Sequence, residues 1–269
     1  MDVGRFVVGL LAAAAVAAAA RSRRSLSAAG AVAATLVGGA VVGGAGWYGG
    51  VLVVLFFATS SALSRSSQPG LVAVERRGSE RDAVQVLANG GVAALLALAI
   101  PVVEPAMLPA LAAGFAGAIA AATADTWSTE VGTRLGGAPR SVLTGRVLPP
   151  GSSGGVSRIG TVAGITGAAL VTAAANFGSD RGWMVAAVPA LAVVGGGVLG
   201  GLADSVIGAS LQAAYRCPAC DVLTEQVVHR CGTPTVPVRG VRWLDNDAVN
   251  LLATATGAVA AAALAWAIA

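Results

Sequence analysis

Eight apolar stretches, each close to the ~20 residues that a helix needs to cross bilayer hydrocarbon, recur along this chain of 269 residues. They fall at about 3–20, 26–46, 47–64, 84–103, 106–124, 159–177, 183–210 and 247–268. Such a pattern folds in lipid. Only 11% of the residues are charged, against about 25% in ordinary soluble domains, and the mean hydropathy is +0.78. In lipid, backbone groups must be satisfied within each spanning segment, which favours helices. The expected fold class is therefore all-α: a polytopic membrane helix bundle of about eight transmembrane helices, forming one domain over 1–269.

Arginine placement tests that count. With eight crossings, alternate connections hold Arg21, Arg23 and Arg24; then Arg65, Arg76, Arg77 and Arg81; then Arg134, Arg140, Arg146 and Arg158; then Arg216, Arg230, Arg239 and Arg242. Fifteen of the seventeen arginines thus share one side, and only Arg5 and Arg181 lie opposite. The positive-inside rule puts the Arg-rich connections in the cytoplasm and both termini outside. The first stretch is not read as a signal peptide, because its arginines follow the apolar run instead of preceding it. The boundary near Gly44–Gly50 is expected to be a tight turn or a bent hairpin.

All basic residues are Arg; the chain contains no Lys. That excludes a Walker A loop, a Schiff-base lysine and the lysine of a protein-kinase fold. The 37 glycines cluster within helices, as at Gly38-Gly39 and Gly195–Gly197 with Gly200-Gly201; small residues let helices approach closely in lipid. Gly195, Gly197 and Gly200 fit a dinucleotide-binding spacing, but no strand precedes them and the run is of lipid length, so that reading is rejected. An internal echo links Gly117–Thr126 to Gly196–Ser205, each ending a helix with Ala-Asp-Thr or Ala-Asp-Ser. It suggests two similarly oriented helix pairs.

Ionisable groups at the edge of lipid are functional candidates by default. Asp125 and Asp204 close the two echoing helices, where a carboxylate opposes the helix dipole and does not cap. Glu130 follows Asp125 by five residues. If the segment stays helical, the two lie about 140° apart around the axis, so sharing one metal ion would require the helix to unwind. Asp245 and Asp247 open the last helix, with Asn246 and Asn250 beside them, and either aspartate alone reads equally as an N-cap. The loop 132–157 carries Arg134, Arg140 and Arg146, then Pro149–Ser157 with Gly154, Gly155 and Ser157, then Arg158 at a helix start. Converging backbone N–H groups, hydroxyls and guanidinium forks suit phosphate. A second cluster, Glu75–Asp82, precedes Gln85 and Asn89, with Asp82 and Asn89 on nearly one helix face. In the connection 211–243, Cys217, Cys220, His229 and Cys231 offer a C-x2-C knuckle and an H-x-C pair. A structural Cys3His zinc site fits tetrahedral coordination; free reduced thiols are the alternative.

Assembled in order, Arg81-Asp82 with Gln85–Gly91, Ala124–Gly132, Leu143–Arg146 into Pro150–Ser157, Ala203–Ser205 with Gly208 and Gln212, and Trp243–Asp247 with Asn250 resemble one integral membrane family. It includes the phytyl-phosphate kinase of plant and cyanobacterial tocopherol synthesis. The resemblance implies transfer of a γ-phosphoryl group from a nucleoside triphosphate, CTP or ATP, to a prenyl monophosphate such as phytyl or geranylgeranyl phosphate.

On that reading Asp125, Glu130, Asp204 and Asp247 are the expected Mg²⁺ site, with Arg146 also catalytic. Arg140, Arg158, Gly154, Gly155 and Ser157 would bind phosphates, while Asp82, Asn89, Asn246 and Asn250 would orient the headgroup. The expected partners are the nucleotide, the prenyl lipid and surrounding membrane lipids, with no nucleic acid, at a cell-membrane site facing the cytoplasm. A CTP-dependent cytidylyltransferase and an anionic-lipid transporter or flippase are the rival readings.

Overall fold

A computed structural model describes residues 3–65, 80–180 and 188–268. Among them, seven helices are long and apolar enough to cross a membrane: α1 (Val3–Ser22), α2 (Ala28–Arg65), α3 (Ala83–Ala99), α4 (Leu108–Leu135), α5 (Arg158–Asp180), α6 (Ala190–Ser210) and α7 (Asn246–Ala267). α2 is two spans in one. At Gly46 the backbone takes φ 82° and ψ 179°, a conformation that glycine adopts without steric cost. A Cβ on Gly50 would lie 2.8 Å from Val42 Cγ2, although residues eight apart in a straight helix are separated by about 12 Å. At the far end Arg65 donates to the Ser25 hydroxyl and to Arg23 O. α2 is therefore a hairpin whose arms, 28–45 and 47–65, are each about 28 Å long. Among the described residues eight membrane-length segments result, as the apolar pattern predicts, and the turn expected near Gly44–Gly50 falls on Gly46.

Two expected limits shift. α6 begins at Ala190 after Pro189, and the earlier part of its expected span lies mostly in residues outside the described ones, as do Arg181 and residues 75–79 of the second charged cluster. α4 continues to Leu135, eleven residues past the apolar run. What carries it is packing against α5. A Cβ on Gly132 would sit 3.1 Å from Gly160 Cα, and one on Gly164 2.9 Å from Ala124 O. Contact with a neighbouring helix extends α4 where hydropathy alone ends it.

The interior is built from small residues and the surface from large ones. Ala, Gly and a few Val fill the core, while Leu36, Leu95, Val162 and Val259 stand exposed along the helices. In lipid no hydrophobic effect separates these faces, so close packing of small residues drives association and the large ones face acyl chains. Trp47 and Trp266 are exposed at one end of the bundle and Trp243 at the other, as interfacial aromatics are.

The tightest packing joins α4, α6 and α7. A Cβ on Gly257 would lie 2.5 Å from Ala121 Cβ and 2.9 Å from Gly117 O; one on Gly200 would lie 2.4 Å from Ala121 Cβ. α4 and α6 thus run side by side, with Asp125 and Asp204 at the same level. Gly257→Val should lower stability by about 1–3 kcal/mol through overpacking and push the two helices apart. Gly91→Ala, where a methyl meets nothing within 4 Å, should be neutral or stabilising by about 0.5–1 kcal/mol. Thermal melts of the two variants in detergent check the contrast.

The Arg-rich connections collect at one end of the bundle. Arg81 N–H donates to Ser25 O and Ser27 N–H to Arg81 O, each at 3.0 Å, tying the α1–α2 connection to the start of α3. Two small antiparallel sheets lie at this end: β1 (Arg140–Ser141) pairs with β2 (Gly155–Val156), and β3 (Ala214–Arg216) lies between β4 (Leu223–Thr224) and β5 (Val236–Arg239). They leave the all-helical class of the bundle unchanged.

Candidate functional site

A cavity of about 1450 Å³ opens among these connections. Asp125 of α4 and Asp204 of α6 both line it, half-buried, with their carboxyl groups in side-chain contact. The register of the two helices places them there: the echoing Ala-Asp steps lie at the same depth in neighbouring, similarly directed helices, which do not end at the aspartates as expected but continue to Leu135 and Ser210. Two carboxylates in contact repel unless a proton or a cation stands between them. Glu225, just after β4, lies within electrostatic reach of Asp204 and accepts a hydrogen bond from the Ser153 hydroxyl.

Glu130 also lines the cavity but belongs to a different group. Because α4 remains helical through it, Glu130 and Asp125 keep the ~140° separation of a continuous helix. Ser64 Oγ donates to Glu130 Oε1 at 2.8 Å, and Arg134 Nη2 to Oε2 at 3.4 Å. Its charge also faces Arg81. Glu130 is thus committed to anchoring basic and hydroxyl groups, and the expectation that it shares an ion with Asp125 does not hold.

Asp247 needs a similar correction. It is buried, 3% exposed, and forms no part of the cavity wall. Asp245 is the N-cap of α7, accepting from Asp247 N–H at 3.1 Å and Ala248 N–H at 3.0 Å, and Asp245 lines the cavity. A carboxylate in the first turn is also favoured by the helix dipole. Asp82, expected at the headgroup, caps α3 instead: its side chain accepts from Gln85 N–H and the Gln85 side chain from Asp82 N–H, a reciprocal capping box.

The basic groups differ most from expectation. Arg140, Arg146 and Arg158 are exposed and do not line the cavity; Arg140 donates to Gly145 O at 3.0 Å within its own turn. Arg65, Arg81 and Arg230 line it instead. The Arg81 guanidinium stands 5.5 Å from the Phe57 ring centre and 5.9 Å from that of Phe56, a cation–π cradle. Burial pulls its pKa down and Glu130 partly restores it; an arginine so placed stays protonated. Arg81 belonged to a quoted motif, which was its signal. Arg65 and Arg230 carry no sequence signal beyond their place in Arg-rich connections.

The Gly/Ser loop does reach the cavity, through Gly154, Gly155 and Ser157. Gly154 has φ +76°, and a Cβ there would come within 2.8 Å of Ala209 backbone N, so only glycine lets the loop lie on the end of α6. Ser157 caps α5, accepting from Gly160 N–H at 3.1 Å. Asn89, Asn246 and Asn250 also line the cavity; Asn89 Nδ2 donates to Gln85 O at 2.9 Å. Gln212 follows the Ala203–Ser205 motif and closes it. It is 3% exposed, lines the cavity, and its Nε2 has no hydrogen-bond partner among the described residues. A buried amide donor left unpaired costs about 1–3 kcal/mol, which a ligand acceptor would recover.

Cys217, Cys220, His229 and Cys231 gather beside the same cavity, with one ligand atom from each within 4.8 Å of the others. The Thr233 hydroxyl, then His229, pull the Cys231 thiol down to about 6, while its hydrogen bond to Cys231 pushes Cys220 up to about 11.

Fold and site together define a polytopic membrane protein with a charged cavity at one end of its helix bundle. The family model described as integral membrane protein DUF92 matches residues 11–258, and the chain belongs to that family, as its motifs implied. It is 28% identical over 219 residues to Protein PGR of Arabidopsis thaliana, covering 72% of this chain and 73% of that one. An uncharacterized membrane protein of Methanocaldococcus jannaschii is 30% identical over 143 residues, 52% of this chain and 46% of the relative. No solved structure matches.

Proposed function

We propose that this protein is a membrane-embedded phosphotransferase that moves the γ-phosphoryl group of a nucleoside triphosphate, CTP or ATP, onto a prenyl monophosphate, giving the diphosphate. The observation that carries the reading is the pairing of Asp125 with Asp204 in a cavity whose other walls hold Arg65, Arg81, Arg230 and a Gly/Ser loop. The volume of about 1450 Å³ exceeds the ~300–1,000 Å³ usual for one small ligand, which suits two reactants. Among the described residues, nine of the eleven carboxylates and thirteen of the fourteen arginines fall in the connections and helix ends of this side. A transporter would need gates on both faces, so this asymmetry favours chemistry at one interface.

The residues divide the work as follows. A phosphate monoester has its second pKa near 6, so the attacking oxygen is already ionised at neutral pH and no strong base is needed. Arg65, Arg81 and Arg230 supply guanidinium forks for the phosphates, with Gln212 Nε2 and the Gly154-Gly155 backbone as further donors. Asn89 and Asn250 orient the lipid headgroup. The prenyl tail lies among the helices and the nucleotide arrives from the Arg-rich side, which the positive-inside rule assigns to the cytoplasm. The hard oxygen donors of Asp125 and Asp204 fit Mg²⁺; when bound, the ion would neutralise charge on the transferring phosphates.

The test is purified protein in detergent with Mg²⁺, a panel of nucleotides labelled at the α or γ position, and phytyl or geranylgeranyl monophosphate. Passage of γ label into lipid diphosphate is expected. A lipid carrying the nucleoside would make the protein a cytidylyltransferase, and nucleotide-independent movement of lipid across vesicles a flippase; either result overturns the kinase reading.

A further inference from the structure

Residues 211–245 form a unit with almost no apolar core. β5 is exposed along its whole length, and of the side chains buried in the three-stranded sheet and its turns only Tyr215 is large and apolar, beside Cys217, Thr224 and His229. Strands of two to four residues do not hold a sheet without a staple. The backbone nevertheless makes two tight knuckles. Cys217 N–H donates to Val222 O at 2.9 Å and Asp221 N–H to Cys217 O at 2.9 Å in the first; His229 N–H donates to Thr233 O at 3.0 Å and Gly232 N–H to His229 O at 2.8 Å in the second.

The knuckles point their ligand-type atoms at each other. Cys217 Sγ stands 3.6 Å from Cys231 Sγ, and His229 Nδ1 3.0 Å from Cys231 Sγ. Tetrahedral zinc with Zn–S bonds of about 2.3 Å separates its sulfurs by about 3.8 Å, so the four groups already approximate one coordination shell. Three thiols and an imidazole select a soft or borderline cation over Mg²⁺ or Ca²⁺.

We propose that Cys217, Cys220, His229 and Cys231 bind one Zn²⁺, and that this clip holds Glu225 and Arg230 in the cavity. Glu225 lies between the two knuckles, bonded to Ser153 of the Gly/Ser loop and facing Asp204. Arg230 sits between the ligands His229 and Cys231 and lines the cavity. With four protein ligands no open position remains, so the ion is structural, and Glu225 and Arg230 are positioned through it. The metal site stands on its own geometry; the positioning role rests on the phosphotransferase reading.

Full-length protein purified in detergent without chelator should carry one zinc per chain by elemental analysis, and cobalt grown in its place should show the intense visible absorption of tetrahedral thiolate ligation. Cys217→Ser with Cys231→Ser should abolish both signals. His229→Cys, which restores a ligand, should retain the metal and most of the activity that His229→Ala loses. In His229→Ala the KM for nucleotide should rise at least tenfold as Arg230 leaves the wall. Wild-type protein with less than a tenth of an equivalent of zinc, or with a Cys217–Cys231 disulfide, overturns the site even if no variant folds. Stoichiometric zinc in a protein without phosphotransferase activity leaves the site standing and removes the kinase reading. An unchanged KM in metal-free but folded His229→Ala removes the positioning role.

Discussion

Asp125→Asn and Asp204→Asn should each lower phosphotransfer by about 10³-fold or more while leaving a folded protein. The two carboxylates touch across the α4–α6 contact, and a cation held between them would contribute several kcal/mol of charge stabilisation, with ~1.4 kcal/mol for each factor of ten in rate. Neither aspartate caps a helix, so neither substitution removes a capping bond. Replacing one member of a repelling pair by an amide should leave the melting temperature in detergent unchanged or raise it slightly. Because both act on one ion, the double variant should be little worse than either single one. Turnover measured alongside thermal melts decides the matter: near-normal rates in one variant dismiss that residue from the site, whereas a collapsed melt would make its role structural.

The second large effect separates two sets of arginines. Arg81→Gln should reduce kcat/KM by roughly 10²- to 10³-fold, the usual loss when one well-placed donor to a charged transition state is removed. Its guanidinium is fixed between Phe56, Phe57 and Glu130, so the ordering cost is already met before substrate arrives. Arg81→Lys should recover only part of the loss, since an ammonium cannot stack or form a bidentate fork. Arg140→Gln, Arg146→Gln and Arg158→Gln, on exposed residues outside the cavity wall, should stay within about threefold of wild type. A steady-state comparison of the five variants reads this directly; equal losses at Arg81 and Arg146 would return the phosphate site to the loop.

Helix number, their shared polarity and the pairing of Asp125 with Asp204 were legible in the linear pattern, because each follows from a local or additive property. Crossing length is set by hydrocarbon thickness, side by the sum of arginines in a connection, and equivalence of the two aspartates by a repeated Ala-Asp step. Placement of the Cys/His group was legible in the same way, since its spacing brings the ligands together within one loop. The roles of Glu130, Asp247 and Asp82 were not. Each depends on whether a helix continues and on which residue occupies its cap, and those are settled by partners distant in sequence: Gly160 and Gly164 against α4, Ser64 at Glu130, and Asp245 taking the capping position that frees Asp247 to be buried.

By itself the amino-acid order determined a membrane bundle of eight crossings with its charge at one end, since lipid imposes length and polarity on every segment independently of the others. Only the tertiary structure decided which of those charges meet. A long arginine side chain can face its own turn, lipid headgroups or the cavity with no change in local pattern. The choice among Arg65, Arg81 and Arg230 on one hand and Arg140, Arg146 and Arg158 on the other was made by the fold-back at Gly46, the seat of Gly154 on α6 and the packing of the 211–245 connection over the cavity.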